Sequence, residues 1–214
     1  MCGIAAVFLA DHESGEDVMI AVHHMTQCQR HRGPDAGREV GGEWGRWSYG
    51  LGHRRLAIQD LSEAGGQPMR DAESGDLLVF NGEIYNAPTL REQLQENRPA
   101  SLWQGHSDTE VLFQGLLQGG VGFLRQVEGM FAFLWWRPTE GRLVLARDPL
   151  GIKPLFTSFQ RNALVVASEV RAILASGMSS SEWDQESLAG YLSYGAVQGP
   201  GTAVAGVEAV PPGT

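Results

Sequence analysis

The chain opens, two residues in, on an unbroken apolar run, GIAAVFL at 3–9. It is too short for a core helix and contains no polar residue, so it reads as a buried strand. Residues 16–29 follow with helical spacing: Val18, Val22, Met25 and Gln29 fall on one stripe, with Ala21 and Cys28 beside it. HRGPDAG at 31–37 reads as a loop from its Gly and Pro content. Strand is expected in part of 46–58 and at 76–81, and helices at 87–97 and 107–118. Four short strand-like runs come next, at 130–136, 142–146, 154–158 and 163–168, and a last helix at 184–193. The final twenty residues, rich in Gly, Ala, Val and Pro, read as a connector. Strands, then helices, then strands again is not a steady βαβα alternation. The pattern therefore favours layered α+β over a doubly wound parallel sheet.

Composition narrows the functional classes. With 214 residues, 43 % hydrophobic and 19 % charged, the chain can bury a substantial core. A net charge of −9 argues against nucleic acid and anionic membrane as partners, since both require basic patches. No apolar run approaches the roughly 20 residues that span a bilayer. MCGIAAVFLA lacks the basic start of a signal peptide, and Asp11, Glu13, Glu16 and Asp17 follow it. Two cysteines, Cys2 and Cys28, are too few for a disulfide framework, and the expected compartment is reducing and cytoplasmic. The six histidines show no metal-ligand spacing, so no metal site is expected. Neither GxxxxGK[ST] nor a GxGxxG after a strand is present, so no nucleotide is expected on the usual loops.

Cys2 directly follows the initiator Met. Removal of a Met before a small residue would leave Cys2 with a free α-amine. A thiol is a weak nucleophile until it ionises, with an ordinary pKa of about 8.5, and an α-amine of pKa about 8 can act as its base. One residue then supplies both nucleophile and base. Gly3 would allow close approach of backbone and substrate. A cysteine at position 2 by chance is the plain alternative.

Five segments in order, MCGIAAVF (1–8), HRGPDA (31–36), GHRRLAIQDLSEAGGQPM (52–69), FNGEIYN (80–86) and SDTEVL (107–112), resemble the class II glutamine amidotransferases, which are N-terminal-nucleophile hydrolases. ARDPLGIKPLF (146–156) and ASEVRAIL (167–174) narrow the resemblance to the asparagine synthetase branch, and it spans essentially the whole chain. The resemblance implies an N-terminal-nucleophile hydrolase fold, a four-layer αββα sandwich with two mostly antiparallel sheets. It places a glutaminase domain at 2–194 and a connector at 195–214, leading toward a synthetase domain absent from this chain.

The resemblance also assigns roles. Cys2 is the nucleophile, and the Asn81 side chain and Gly82 N–H form the oxyanion hole. Arg55 grips the glutamine α-carboxylate, as a guanidinium can through two parallel hydrogen bonds. Leu56, Ala57, Ile58 and Gln59 line the same pocket. Glu83 helps hold the substrate amine or amide, and Asp108 binds the α-ammonium. Plainer readings stand beside these. Asn81-Gly82 alone reads as a hairpin turn. SDTE fits a capping box with Ser107 at N-cap and Glu110 at N3, which leaves Asp108 unexplained. Arg54 reads as a solvated charge, Cys28 as packing, and HRGPDA as pocket wall with no chemical role for His31.

Family members continue into a synthetase domain with an SGGxDS ATP loop, whereas this sequence stops at VEAVPPGT. ATP and Mg are thus expected only in that missing domain, and no cofactor in this chain. The expected activity is hydrolysis of L-glutamine to glutamate and ammonia. The ammonia would serve ATP-dependent amidation of aspartate to asparagine by a synthetase domain or subunit. A different carboxylate acceptor in a specialised pathway, a stand-alone amide hydrolase or a non-catalytic scaffold are the alternatives, and a homodimer is left open.

Overall fold

The computed structural model describes residues 1–10, 15–96, 103–160 and 162–214. The opening run forms β1 (Gly3–Ala10), and its period-two geometry explains why it is apolar throughout. Ala5, Val7 and Leu9 face one hydrophobic layer, while Ile4, Ala6 and Phe8 face another. A strand with both faces covered has no position for a polar side chain.

The first layer is closed by α1 (Gly15–Cys28), whose Val18, Ala21, Val22 and Met25 pack onto β1 as the stripe predicts. Gln29, just past the helix, is fully buried and donates to the Ile4 carbonyl at 2.9 Å. Strands β2 (Ala36–Trp44) and β3 (Trp47–Arg55) form a hairpin, with β3 antiparallel to β1. A two-residue strand β4 (Met69–Arg70) pairs with β5 (Leu77–Ile84), and the helices α2 (Ala87–Gln95) and α3 (Asp108–Gly119) follow. The last position of the expected 87–97 helix lies outside the described residues. Strands β6 (Gly129–Arg137), β7 (Arg142–Arg147), β8 (Phe156–Gln160) and β9 (Ala163–Ala167) come next, then α4 (Val170–Ala175), α5 (Gln185–Tyr194) and β10 (Val207–Ala209).

Two antiparallel sheets result, ordered β10-β8-β9-β1-β3-β2 and β4-β5-β6-β7. The second repeats the logic of β1. Leu78 and Phe80 of β5, with Phe133 and Trp135 of β6, pack with Leu90 of α2 and Leu112 of α3. Leu77, Val79, Ala132 and Leu134 instead meet Ile4, Ala6 and Leu51 between the sheets. Helices therefore cover the outer faces and a third apolar layer joins the inner ones, which is the four-layer α+β sandwich expected. Each large apolar side chain removed from water in these layers contributes roughly 1.5–3 kcal/mol.

Three expectations change. Asn81 and Gly82 are not a turn: both lie inside β5, paired with Ala132 and Phe131. Residues 36 and 37, read as loop, begin β2, an edge strand whose exposure hides its pattern. Part of the presumed connector also belongs to the sandwich. Val207–Ala209 pair with β8, Val210 N–H donates to the Leu155 carbonyl at 2.9 Å, and Arg147 N–H donates to the Thr214 carbonyl at 2.7 Å.

Candidate active site

Side-chain parity brings Cys2 and Asn81 together. Cys2 continues the inner-facing series Ile4, Ala6, Phe8, and Asn81 continues the inner-facing series Leu77, Val79. At this end of the inter-sheet layer the Cys2 nitrogen donates to Asn81 Oδ1 at 3.0 Å. In the chain with Met1 that nitrogen is a peptide N–H. The β1–β3 register pairs Gly3 with Arg54, so Arg55 falls opposite Cys2 one step further on. Cys2, Arg55, Asn81, Gly82, Glu83 and Asp108 all line one cavity of about 160 Å³.

Asn81 is 1 % exposed, and its Nδ2 has no hydrogen-bond partner among the described residues. Beside it, Gly82 lines the same cavity. Along an antiparallel strand the N–H and C=O of successive residues point to opposite sides, and those of every second residue to the same side. The flanking N–H groups of Phe80 and Ile84 leave β5 on the side away from β6, donating to Gln67 Oε1 at 2.6 Å and Asp108 Oδ2 at 2.9 Å. The Gly82 N–H shares that side and faces the cavity. Glycine is required there because an added Cβ would lie 2.4 Å from the Met130 carbonyl oxygen and 2.8 Å from Phe131 Cα, both backbone atoms. Gly82→Ala should therefore lower unfolding stability by about 2–3 kcal/mol, toward the upper end of over-packing effects. Urea denaturation measures this, and wild-type stability would show that the strands part without strain.

The thiol sits in competing fields. Burial pushes the Cys2 pKa up. The Leu56 N–H, which donates to Sγ at 3.5 Å, the chain's amino-terminal charge, Arg55 and Arg32 pull it back. Arg32, in the segment read only as pocket wall, is 9 % exposed and fixes the Cys2 backbone, its Nε donating to the Cys2 carbonyl at 2.9 Å. Its Nη1 reaches Glu169 Oε1 at 3.1 Å, and His31 reaches the same oxygen at 2.9 Å. Burial would raise the Glu169 carboxyl, but bonds from Arg171, His31 and Arg32 outweigh it and hold it at about 2.

Arg55 is held by carbonyls of the loop that follows it, that of Ser62 at 2.8 Å and that of Asp60. Arg54 is not solvated as read. It is 8 % exposed and donates to the Gly33 carbonyl at 3.0 Å. Leu56, Ile58 and Gln59 line the cavity, but Ala57 does not; its N–H donates to Asp35 Oδ2 at 2.8 Å. Ser107 caps α3 by accepting from Glu110 N–H at 3.2 Å. Glu110 does not complete the reciprocal box and instead accepts from Gln104 and Gly105 N–H at 2.6 and 3.0 Å. Asp108, at the start of α3, is 6 % exposed. Burial raises its pKa, N–H groups of Ile84 and Thr109 lower it, and the neighbouring Glu83 charge raises it.

Lys153 is a cavity residue that sequence reasoning left without a role, although its GIKPLF segment carried the resemblance. Asp148 shapes its loop by accepting the N–H groups of Leu150, Ile152 and Lys153 at 3.0–3.1 Å. Among the described residues no group of three or more His, Cys, Asp or Glu side chains could hold a metal ion.

Two facing antiparallel sheets with helices outside them define the N-terminal-nucleophile hydrolase fold, with the Cys2 thiol leading into a central strand. The chain belongs to the glutamine amidotransferase domain family, whose match covers residues 1–214. It is 36 % identical over 218 residues to asparagine synthetase [glutamine-hydrolyzing] 1 of Bacillus subtilis, covering 100 % of this chain and 33 % of that protein. It is 34 % identical over 201 residues to amidase chry2 of Gibberella zeae, covering 88 % of this chain and 28 % of that one. Among solved structures, glutamine phosphoribosylpyrophosphate amidotransferase from B. subtilis superposes with a TM-score of 0.65 at 25 % identity, covering 82 % of this chain and 44 % of that chain. The chain thus spans about a third of the length of these curated relatives.

Proposed function

We propose that this chain hydrolyses L-glutamine to glutamate and ammonia through a Cys2 thioester. The observation that carries the reading is the buried, unpartnered Asn81 Nδ2 beside Cys2. A buried donor without an acceptor is rare in a folded protein unless something transient occupies it. Arg55 would pair with the substrate α-carboxylate, and Asp108 and Glu83 with its α-ammonium. Once Met1 is removed, the Cys2 α-amine can take the thiol proton. Sγ then attacks the side-chain amide carbon, and the carbonyl oxygen becomes an oxyanion between Asn81 Nδ2 and the Gly82 N–H. Collapse expels the amide nitrogen as ammonia, carrying the proton returned by the amine. Water then cleaves the thioester to glutamate and restores the thiol.

The test is the chain itself, with loss of Met1 checked by intact mass, incubated with glutamine while glutamate and ammonia are assayed. Equal release of both is expected, with none from chain that retains Met1. Absence of glutamate from the processed chain would overturn the reading.

The ammonia would be used by a synthetase part of a longer protein, or a separate subunit, with aspartate as acceptor. ATP and Mg chemistry would fall to that other part. A second acceptor reading is favoured by relatives named amidases, one of them 34 % identical over 201 residues. No helix among the described residues is long and apolar enough to cross a membrane.

A further inference from the structure

Asp60 joins the two halves of the amino-acid clamp. It is 8 % exposed at the cavity wall and has no role in the chemistry described above. Its Oδ1 accepts Ser62 N–H at 2.8 Å and Ser62 Oγ–H at 2.6 Å, which folds the loop after β3 into a tight turn. The carbonyls of that turn, those of Asp60 and Ser62, are the ones that hold the Arg55 guanidinium. Its other oxygen, Oδ2, accepts His106 N–H at 2.9 Å. His106 precedes Ser107, the cap of α3, and Asp108, its first residue. One carboxylate therefore bonds to the loop that holds the cation and to the segment that leads into the anion.

The packing is specific to this arrangement. A Cβ on Gly105 would lie 2.5 Å from Asp60 Oδ2, and one on Gly65 would lie 2.3 Å from an Arg55 nitrogen. Two glycines thus clear the space in which Asp60 and Arg55 sit. His106 N–H and Ser62 hold the Asp60 carboxyl at about 2, so it stays an acceptor toward both loops at any working pH.

We propose that Asp60 is a positioning residue that fixes the separation and orientation of Arg55 relative to Asp108, and so makes the site selective for the free α-amino-acid end of its substrate. This rests on the glutaminase reading above. Glutamine presents a carboxylate and an ammonium on one carbon, a fixed spacing that demands a fixed distance between the last residue of β3, Arg55, and the first residue of α3, Asp108. Asparagine is the informative replacement. It keeps one acceptor, but its amide is a donor and cannot also accept from the opposite loop.

Asp60→Asn and wild type, both with Met1 removed, are compared for glutamine hydrolysis. Inhibition by L-glutamate and by 4-aminobutyrate, the same acid without its α-carboxylate, is measured on each. The expected result is a rise of about tenfold in KM, with kcat within about threefold, and a loss of about tenfold in the preference for L-glutamate, the size of one charge-assisted hydrogen bond. A purely structural role would lower kcat with the folded fraction, read by circular dichroism, and leave KM and the preference unchanged. That result, or a variant identical to wild type, would overturn the proposal. An inactive wild type would instead remove the glutaminase reading, and the two failures are therefore distinguishable.

Discussion

Asn81→Ala should lower kcat for glutamine about 10²–10³-fold while leaving the melting temperature equal to wild type or slightly above it. The loss follows from the proposed role of Asn81, since removing a fixed oxyanion donor raises the barrier by about 3–4 kcal/mol. The stability half of the prediction has the opposite sign from the usual one for a buried polar residue. Asn81 is 1 % exposed and its Nδ2 lacks a partner, and an unmet buried donor destabilises by roughly 1–3 kcal/mol. Alanine removes that penalty. What it loses is the acceptor for the Cys2 nitrogen, one hydrogen bond of about 1 kcal/mol net. The two terms nearly cancel or leave a small gain, as expected where a site holds strain for function. Glutamate release and thermal unfolding followed by circular dichroism measure both halves. Retained turnover would remove Asn81 from the oxyanion hole. Lost turnover with a collapsed melting transition would make it an ordinary core residue.

The sandwich was legible because both of its sheets are covered on both faces. GIAAVFL has no polar position, so its length and continuity were enough to read a buried strand. The hairpin strand β2 was not legible for the converse reason. It is an edge strand, mostly exposed, with Gly41 and Gly42 giving no side chains to count. Asn81-Gly82 misled because turn chemistry and close backbone approach both call for glycine. The neighbours that decide between them, Met130 and Phe131, are about fifty residues away.

The same distance effect divides the site residues. Cys2, Arg55, Asn81 and Asp108 were named through the resemblance, and the structure brings them to one cavity. Arg32, Asp60 and Arg54 were missed or misread because they act on backbone groups far along the chain. Their partners are the Cys2 carbonyl, the His106 N–H and the Gly33 carbonyl. A charged residue gripping a remote peptide group leaves no spacing for a sequence to show. Only burial distinguishes it from a solvated charge, and burial is a property of the fold.

His53 also grips a remote peptide group, as a neutral imidazole, and it predicts an acid-labile fold. It is fully buried opposite Ile4, with Nε2 donating to the Phe80 carbonyl at 3.0 Å and Nδ1 without a partner among the described residues. Burial lowers its pKa to about 4, and Arg55 and Arg54 add to the shift against the bond to Phe80. The unfolded chain takes up this proton near pH 6.5, while the folded chain refuses it until about pH 4. Between those values the unfolded state binds more protons, so stability rises with pH. The contribution is complete above 6.5 and is lost as pH falls toward 4. The slope is about 1.4 kcal/mol per pH unit, which accumulates to roughly 3 kcal/mol across the window. Phe80 directly precedes Asn81, so this imidazole is anchored to the strand that carries the proposed oxyanion donor. His53→Gln keeps a donor for the Phe80 carbonyl but does not titrate. Urea denaturation at several pH values from 4 to 7.5 should show wild type losing about one proton's worth of slope more than the variant. Equal slopes would mean that the imidazole is not excluded from protonation in the folded chain, and that the sheets are tied together at this point by something other than a neutral histidine.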